Sequence, residues 1–167
     1  MNKGQVISTE FLSAIFILLT LFVLGTYLWN LTSARINENL IKNNLVTNAI
    51  EISDNLLRSQ GSPTDWEENV TNLASIGLGV ISKSNKLDRD KILSLTNISY
   101  SQLKDSLGIK LFEFYFRISN SSGNVIQIDG KNAETGLKPN ATSDIVNARR
   151  IAILGNEFVY MDVIIWK

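Results

Sequence analysis

Few side chains in this sequence are placed to do chemistry, and each has a plain alternative. Asp88, Asp90 and Asp105 come nearest to a cation-ligating set. Calcium takes clustered oxygen ligands, but this spacing fits no EF-hand loop, so the three are read as solvated helix ends. No metal and no cofactor is expected. Arg149-Arg150 could touch lipid headgroups or a partner's acid; the plainer reading is charge that keeps a strand edge soluble. Asn-x-Ser/Thr occurs at Asn30, Asn69, Asn97, Asn120 and Asn140. These would be glycan acceptors only on an extracytoplasmic chain. Asn120 and Asn140 fall in expected loops and are the best placed; Asn30 lies too close to an apolar run. A lone carboxylate, Glu10, stands immediately before that run.

What is missing narrows the function classes further. There is no cysteine, which excludes disulfides, thiolate metal sites and cysteine nucleophiles. There is no histidine, so the usual general base, the usual metal ligand and every Ser-His-Asp arrangement are absent too. No Gly-rich phosphate loop or internal repeat is visible, and no catalytic function is expected. Lys plus Arg is 16 and Asp plus Glu is 16, so no broad electrostatic footprint for nucleic acid exists. A chain of 167 residues is one ordinary domain in size, and its 14 aromatic residues can build a core.

The apolar residues are concentrated at one end. No charged residue lies between Phe11 and Ala34, and 13 of the 21 residues from Phe11 to Leu31 are Leu, Ile, Phe or Val. At roughly −0.3 to −0.6 kcal/mol each, these favour a bilayer by about 4 to 8 kcal/mol. About 20 residues of helix cross the hydrocarbon layer. Tyr27 and Trp29 sit near one end, where interfacial aromatics belong, and Lys3 with the free amine lies at the other. Positive charge marks the cytoplasmic side, so the N-terminus is expected inside and the bulk of the chain outside. A removable secretory signal with a cut after Thr32-Ser33-Ala34, a plain signal anchor, and a third kind of leader all fit this run.

The third reading rests on Met1-Asn2-Lys3-Gly4-Gln5-Val6-Ile7-Ser8-Thr9-Glu10. A very short basic leader ends in Gly, a polar residue follows, and a carboxylate precedes the apolar stretch. This resembles the class III signal peptide of archaeal type IV pilin-like proteins. The resemblance implies that a membrane-embedded aspartyl peptidase cuts on the cytoplasmic side at Lys3-Gly4-Gln5 and leaves the helix attached. Counting from Gln5, Glu10 is the sixth mature residue, where the family usually has it fifth. A cut after Gln5 would restore the usual offset; a cut after Gly4 keeps the more specific Lys-Gly-Gln. In the family the corresponding Glu meets the N-terminal amine of a neighbouring subunit. The alternative for Glu10 is a headgroup position that complements the positive end of the helix dipole.

The helix is expected to continue past the membrane. Ile36, Leu40, Ile41, Leu45, Ala49, Ile52, Leu56 and Leu57 form one apolar stripe at helical period. No Pro or Gly occurs between Thr26 and Gln60, and Gly61-Ser62-Pro63 is a stop. A stripe less regular than strict heptads favours packing on a sheet over a coiled-coil stalk. Residues 1–4 are thus the leader, 5–60 the long helix with its transmembrane part at about 11–31, and 61–167 an extracytoplasmic head.

In the head the pattern shifts toward strands. Trp66 is expected as a lid on the core. Residues 75–82 suggest a short strand broken by Gly77 and Gly79. Two short helices, 88–95 and 99–107, come next, the second capped by Ser99 and ended by Gly108. Phe112, Phe114, Phe116 and Ile118 alternate with Glu113, Tyr115 and Arg117, which predicts a half-buried antiparallel strand. Asn120-Ser121-Ser122-Gly123 turns into 125–128. A hairpin at 145–154 and 157–166 turns on Gly155-Asn156, its last strand apolar enough to be paired centrally. The expected fold is α+β, a long helix on a small antiparallel sheet.

The resemblance implies a non-catalytic structural subunit, of the minor kind, in a pilus-like filament or a related secretion or adhesion apparatus. Its partners would be other pilin-like subunits, a prepilin peptidase and membrane lipid. The alternative is an unprocessed, single-pass surface protein whose head binds a ligand or partner.

Overall fold

Helix α1 runs through Lys3–Arg58 in the computed structural model, which describes residues 3–81, 83–140 and 144–167, with no side chains described for 3–8 and 72. The helix ends where the sequence stops it. Ser59 N–H still reaches the Asn55 carbonyl at 2.9 Å, and Gly61 then adopts φ +84°, in the left-handed region open to glycine. By contacts the chain divides into two units, Met1–Lys42 and Asn43–Lys167.

In the second unit, the last turns of α1 carry the core. Leu45, Ala49, Ile52 and Leu56, spaced three to four residues apart, are all buried, with Leu57 beside them. Ile36 and Leu40, read as part of the same stripe, are exposed and belong to the first unit. The helical period marks an apolar face; it does not say how many turns of that face find cover.

After α1 come β1 (Gly61–Ser62), β2 (Ser75–Ile76), β3 (Gly79–Val80) and β4 (Lys83–Leu87), then α2 (Arg89–Asn97) and α3 (Tyr100–Leu107). Next are β5 (Glu113–Ser119), β6 (Gln127–Ile128), β7 (Lys131–Asn132) and β8 (Glu134–Gly136). The hairpin β9 (Ile145–Leu154) and β10 (Glu157–Trp166) closes the chain. Among the described residues, the main sheet has the order β3-β4-β9-β10-β5-β8; β1-β2 and β6-β7 form two small ribbons.

The fold is α+β, as expected, but the main sheet is mixed. β4 runs parallel to β9, pairing Lys86 with Ile153 and Leu87 with Leu154. Its sequence, Lys-Ser-Asn-Lys-Leu, has no alternation and carried no strand signal. β10 is central, paired along its length with β9 and at seven positions with β5. The strand expected at 75–82 is two separate pairs flanking Gly77. A Cβ at Gly77 would strike the Ser59 carbonyl and the Gly61 amide, so only glycine lets this segment lie against the exit of α1.

Pleating sorts the sheet residues into two faces. Phe114, Phe116, Ile118, Val159, Met161, Val163 and Ile165 share the buried face. Arg150 lies on that face too and reaches Asp54 of α1 at 2.8 Å, which places the helix there. The opposite face carries Tyr115, Arg117, Asn147, Arg149, Ile151, Phe158, Tyr160, Asp162 and Ile164. β5 is buried on both faces at Tyr115, not half-buried as alternation implied, because Tyr115, Ile164 and Trp166 make a second small cluster.

α2 and α3 close the unit. Asp88 caps α2 by accepting from Asp90 N–H at 2.9 Å. Ser99 precedes α3 without a side-chain cap bond, and Gly108 ends that helix in the left-handed region.

Candidate functional site

The first unit offers a surface. Phe11 to Leu31 is helical throughout, and its large apolar side chains are exposed, Trp29 and Tyr27 among them. Its serine and threonine hydroxyls are turned inward along the helix. Ser13 donates to Thr9 O and Thr20 to Phe16 O, each at 2.8 Å, and Thr26 donates to Val23 O at 2.9 Å. A hydroxyl satisfied by its own backbone needs no water, as required of a helix surrounded by hydrocarbon. By length and composition α1 can cross a bilayer. Glu10 is exposed immediately before this surface. Lys3, Gly4 and Gln5 lie outside the described side chains.

The sequons sit at the surface or near it. Asn69 is exposed and caps a 3-10 turn at Val70–Asn72, accepting from Thr71 N–H at 3.2 Å. Asn97 ends α2 and accepts from Lys131 Nζ at 3.0 Å. Asn120 is partly buried; its Oδ1 accepts from Ser122 and Asn124 N–H, both at 3.0 Å, which makes it the organiser of its turn. Asn140 is exposed, but its Thr142 lies outside the described residues. Asn30 is an exposed residue of α1 beside Trp29.

The three aspartates considered for a cation have other tasks. Asp88 is the α2 cap, Asp90 lies in the first turn of α2, and Asp105 is 3.5 Å from Lys110. Among the described residues, no three carboxylates converge.

Sequence reasoning missed one polar constellation and misread part of it. Arg149 and Arg150 are not simply solvated charges; each is ion-paired. They point to opposite faces, Arg150 to Asp54 and Arg149 to Asp162. Asp162 is fully buried in the middle of β10 and is held from both sides. Arg149 Nε meets Oδ1 at 2.6 Å, Arg149 Nη2 meets Oδ2 at 3.0 Å, and Arg117 Nε meets Oδ2 at 3.0 Å. Register makes the row: Asp162 stands opposite Arg149 on β9 and opposite Arg117 on β5. The signal was present, since a two-residue turn at Gly155-Asn156 fixes that pairing.

Two Tyr-Glu-Lys groups flank β5. The Tyr100 hydroxyl donates to Glu113, 2.5 Å away, and Lys104 lies 3.1 Å from the same carboxylate. The Tyr115 hydroxyl donates to Glu134, which Lys138 approaches at 3.4 Å. Burial, then the neighbouring carboxylate, pushes each tyrosine up to about 12. The hydroxyl bonds hold Glu113 and Glu134 below the usual glutamate range. Burial pushes the Asp162 carboxyl up, but Arg149 and Arg117 outweigh it and hold it below the usual aspartate range.

These shifts set the pH limits of the fold. The carboxylates have depressed values when folded, so their contribution is complete above the unfolded values near 4 and disappears as pH falls through the folded ones. The tyrosines have raised values, so theirs is complete below about 10 and is lost as pH rises through about 12. The melting temperature should therefore be flat over the carboxylate–tyrosine interval and fall at both ends. Asp162→Asn should reduce the dependence on the acid side. A melting temperature that varies most between pH 6 and 8 would contradict this assignment.

No family model, curated protein or solved structure matches this chain.

Proposed function

We propose that the chain is a structural subunit, of the minor kind, in an archaeal type IV pilus-like filament or a related secretion or adhesion apparatus. One observation carries the reading: the large apolar side chains of an uncharged helical stretch from Phe11 to Leu31 are exposed among the described residues, and the stretch begins six residues after Gln5 of Lys3-Gly4-Gln5. Such a surface needs either lipid or other helices around it. A prepilin peptidase removes residues 1–4, and the chain first resides in the membrane with its N-terminus inside and the Asn43–Lys167 unit outside. Exchange of lipid contacts for contacts with neighbouring subunits then drives assembly.

Glu10 is the residue whose role tests this model. At the centre of a bilayer a carboxylate costs roughly 2.5 to 3.5 kcal/mol, so at the edge of an apolar interface it needs a partner. In the filament that partner is the new N-terminal amine of a neighbour. Filaments sheared from native cells should contain the wild-type chain. Glu10→Ala should be processed normally yet fall at least tenfold in the sheared fraction. Wild-type chain found only in membranes would favour an anchored surface protein, and normal assembly of Glu10→Ala would remove the pairing role.

A further inference from the structure

The row Arg149–Asp162–Arg117 holds two guanidinium groups against a single carboxylate, on the sheet face opposite α1. Both arginines bond the same Oδ2 at 3.0 Å, so the two cations are brought together and fixed. One negative charge offsets two positive ones. Glu134 stands opposite Arg117 in register, but it is engaged by Tyr115 and Lys138. The group as a whole remains cationic by one charge.

Donors are left over. Arg117 uses only Nε, and Arg149 uses Nε and Nη2. Both terminal nitrogens of Arg117 and Nη1 of Arg149 bond nothing on this face among the described residues. The Arg149 side chain is 50% exposed and the Arg117 side chain 30%. Guanidinium groups pre-oriented in this way lose little freedom on taking a planar anion bidentately. Asp162, fully buried, cannot itself be reached and acts only as the brace. On the next row, the buried Ser119 hydroxyl also has no partner among the described residues.

Beside the cations lies apolar surface. Tyr160 stacks under Arg149, with the guanidinium carbon 5.3 Å from the ring centroid. Ile151, opposite Tyr160 in register, and Phe158, two residues farther along, are both exposed, Phe158 at 75%. Four residues of strand separate Phe158 from Asp162, or about 13 Å. The face therefore carries cationic forks at one end and aromatic surface at the other. Bare phosphate would use the forks and leave the aromatics idle. A sugar acid uses both: its carboxylate is planar, and its ring has an apolar C–H face that lies on aromatic side chains.

We infer that this face binds an acidic saccharide, with a uronate carboxylate held between Arg117 and Arg149 and the adjoining rings lying on Tyr160 and Phe158. The probe is trigalacturonate, titrated calorimetrically into the full-length chain in detergent micelles at low salt. Saturable binding is expected, weakened by salt. Arg149→Gln leaves Arg117 on Asp162 and should weaken binding at least tenfold, the fold of the variant being checked by a cooperative melting transition. Phe158→Ala, at an exposed position, should weaken it severalfold and keep the native melt. Absence of saturable binding, or undiminished binding by a folded Arg149→Gln, overturns the inference. Equal binding of the neutral galactose trimer overturns the role of the carboxylate. Inorganic phosphate or a Glu-rich peptide competing at equal concentration overturns the assignment to a sugar.

Discussion

Gly4→Phe is expected to leave the chain uncut, so that its mass stays that of the precursor and none of it enters a filament. The reasoning is steric. A peptidase that cuts beside Gly4 must close around the residue before the scissile bond, and glycine is the only residue with no side chain to exclude. Membrane insertion should be unaffected, because the stretch from Phe11 to Leu31 is intact. The contrast with Glu10→Ala is the useful part. One variant stops before processing; the other is processed and stops before assembly. A Gly4→Phe chain of mature mass would show that Lys3-Gly4-Gln5 is not the processing site.

Trp66→Ala should cost the second unit about 3 to 5 kcal/mol through lost apolar burial and the cavity left behind. Trp66 is fully buried, and its indole N–H donates to the Gln60 and Gly77 carbonyls, both at 3.0 Å. These carbonyls belong to the exit of α1 and to the segment before β3, so one ring joins the two. The buried Lys91 completes the arrangement by donating to Gln60 O at 2.7 Å and to Thr64 O at 2.5 Å. Truncation would leave Gly77 O without the indole, a further cost of about 1 to 3 kcal/mol. Against a typical net stability of roughly 5 to 15 kcal/mol, this loss is large. Trp66→Phe keeps most of the volume and should lose about 1 to 3 kcal/mol with the N–H. Urea unfolding followed by near-ultraviolet dichroism measures both. A cost below 1 kcal/mol for Trp66→Ala would mean that the ring is a cover and not a joint.

The elements legible in the sequence are those with a sustained period. α1, α2, α3 and the β9–β10 hairpin were expected within a few residues of where they lie, since each has a repeat, a cap or a turn. β4 and the two- or three-residue strands β7 and β8 were not, because pairs that short are set by the neighbours they meet and not by their own residues. Polar networks were the least legible. Asp162 carries no signal of its own within an apolar strand; register places it between two arginines. Arg150 needed Asp54, 96 residues away, to explain it. Lys91 belongs to no motif, yet it is buried and donates to the loop that follows α1. The apolar surface of α1, by contrast, was plain from composition, because a helix with no charge over that length has no polar side to present to water.

The mature N-terminus, read by mass spectrometry on protein taken from native membranes, tests the filament account most directly. A chain beginning at Gln5, or at Val6 with Glu10 then in the family's usual place, is the predicted result. A chain that retains Met1 or Asn2, or that begins at Arg35 as a secreted product would, contradicts it.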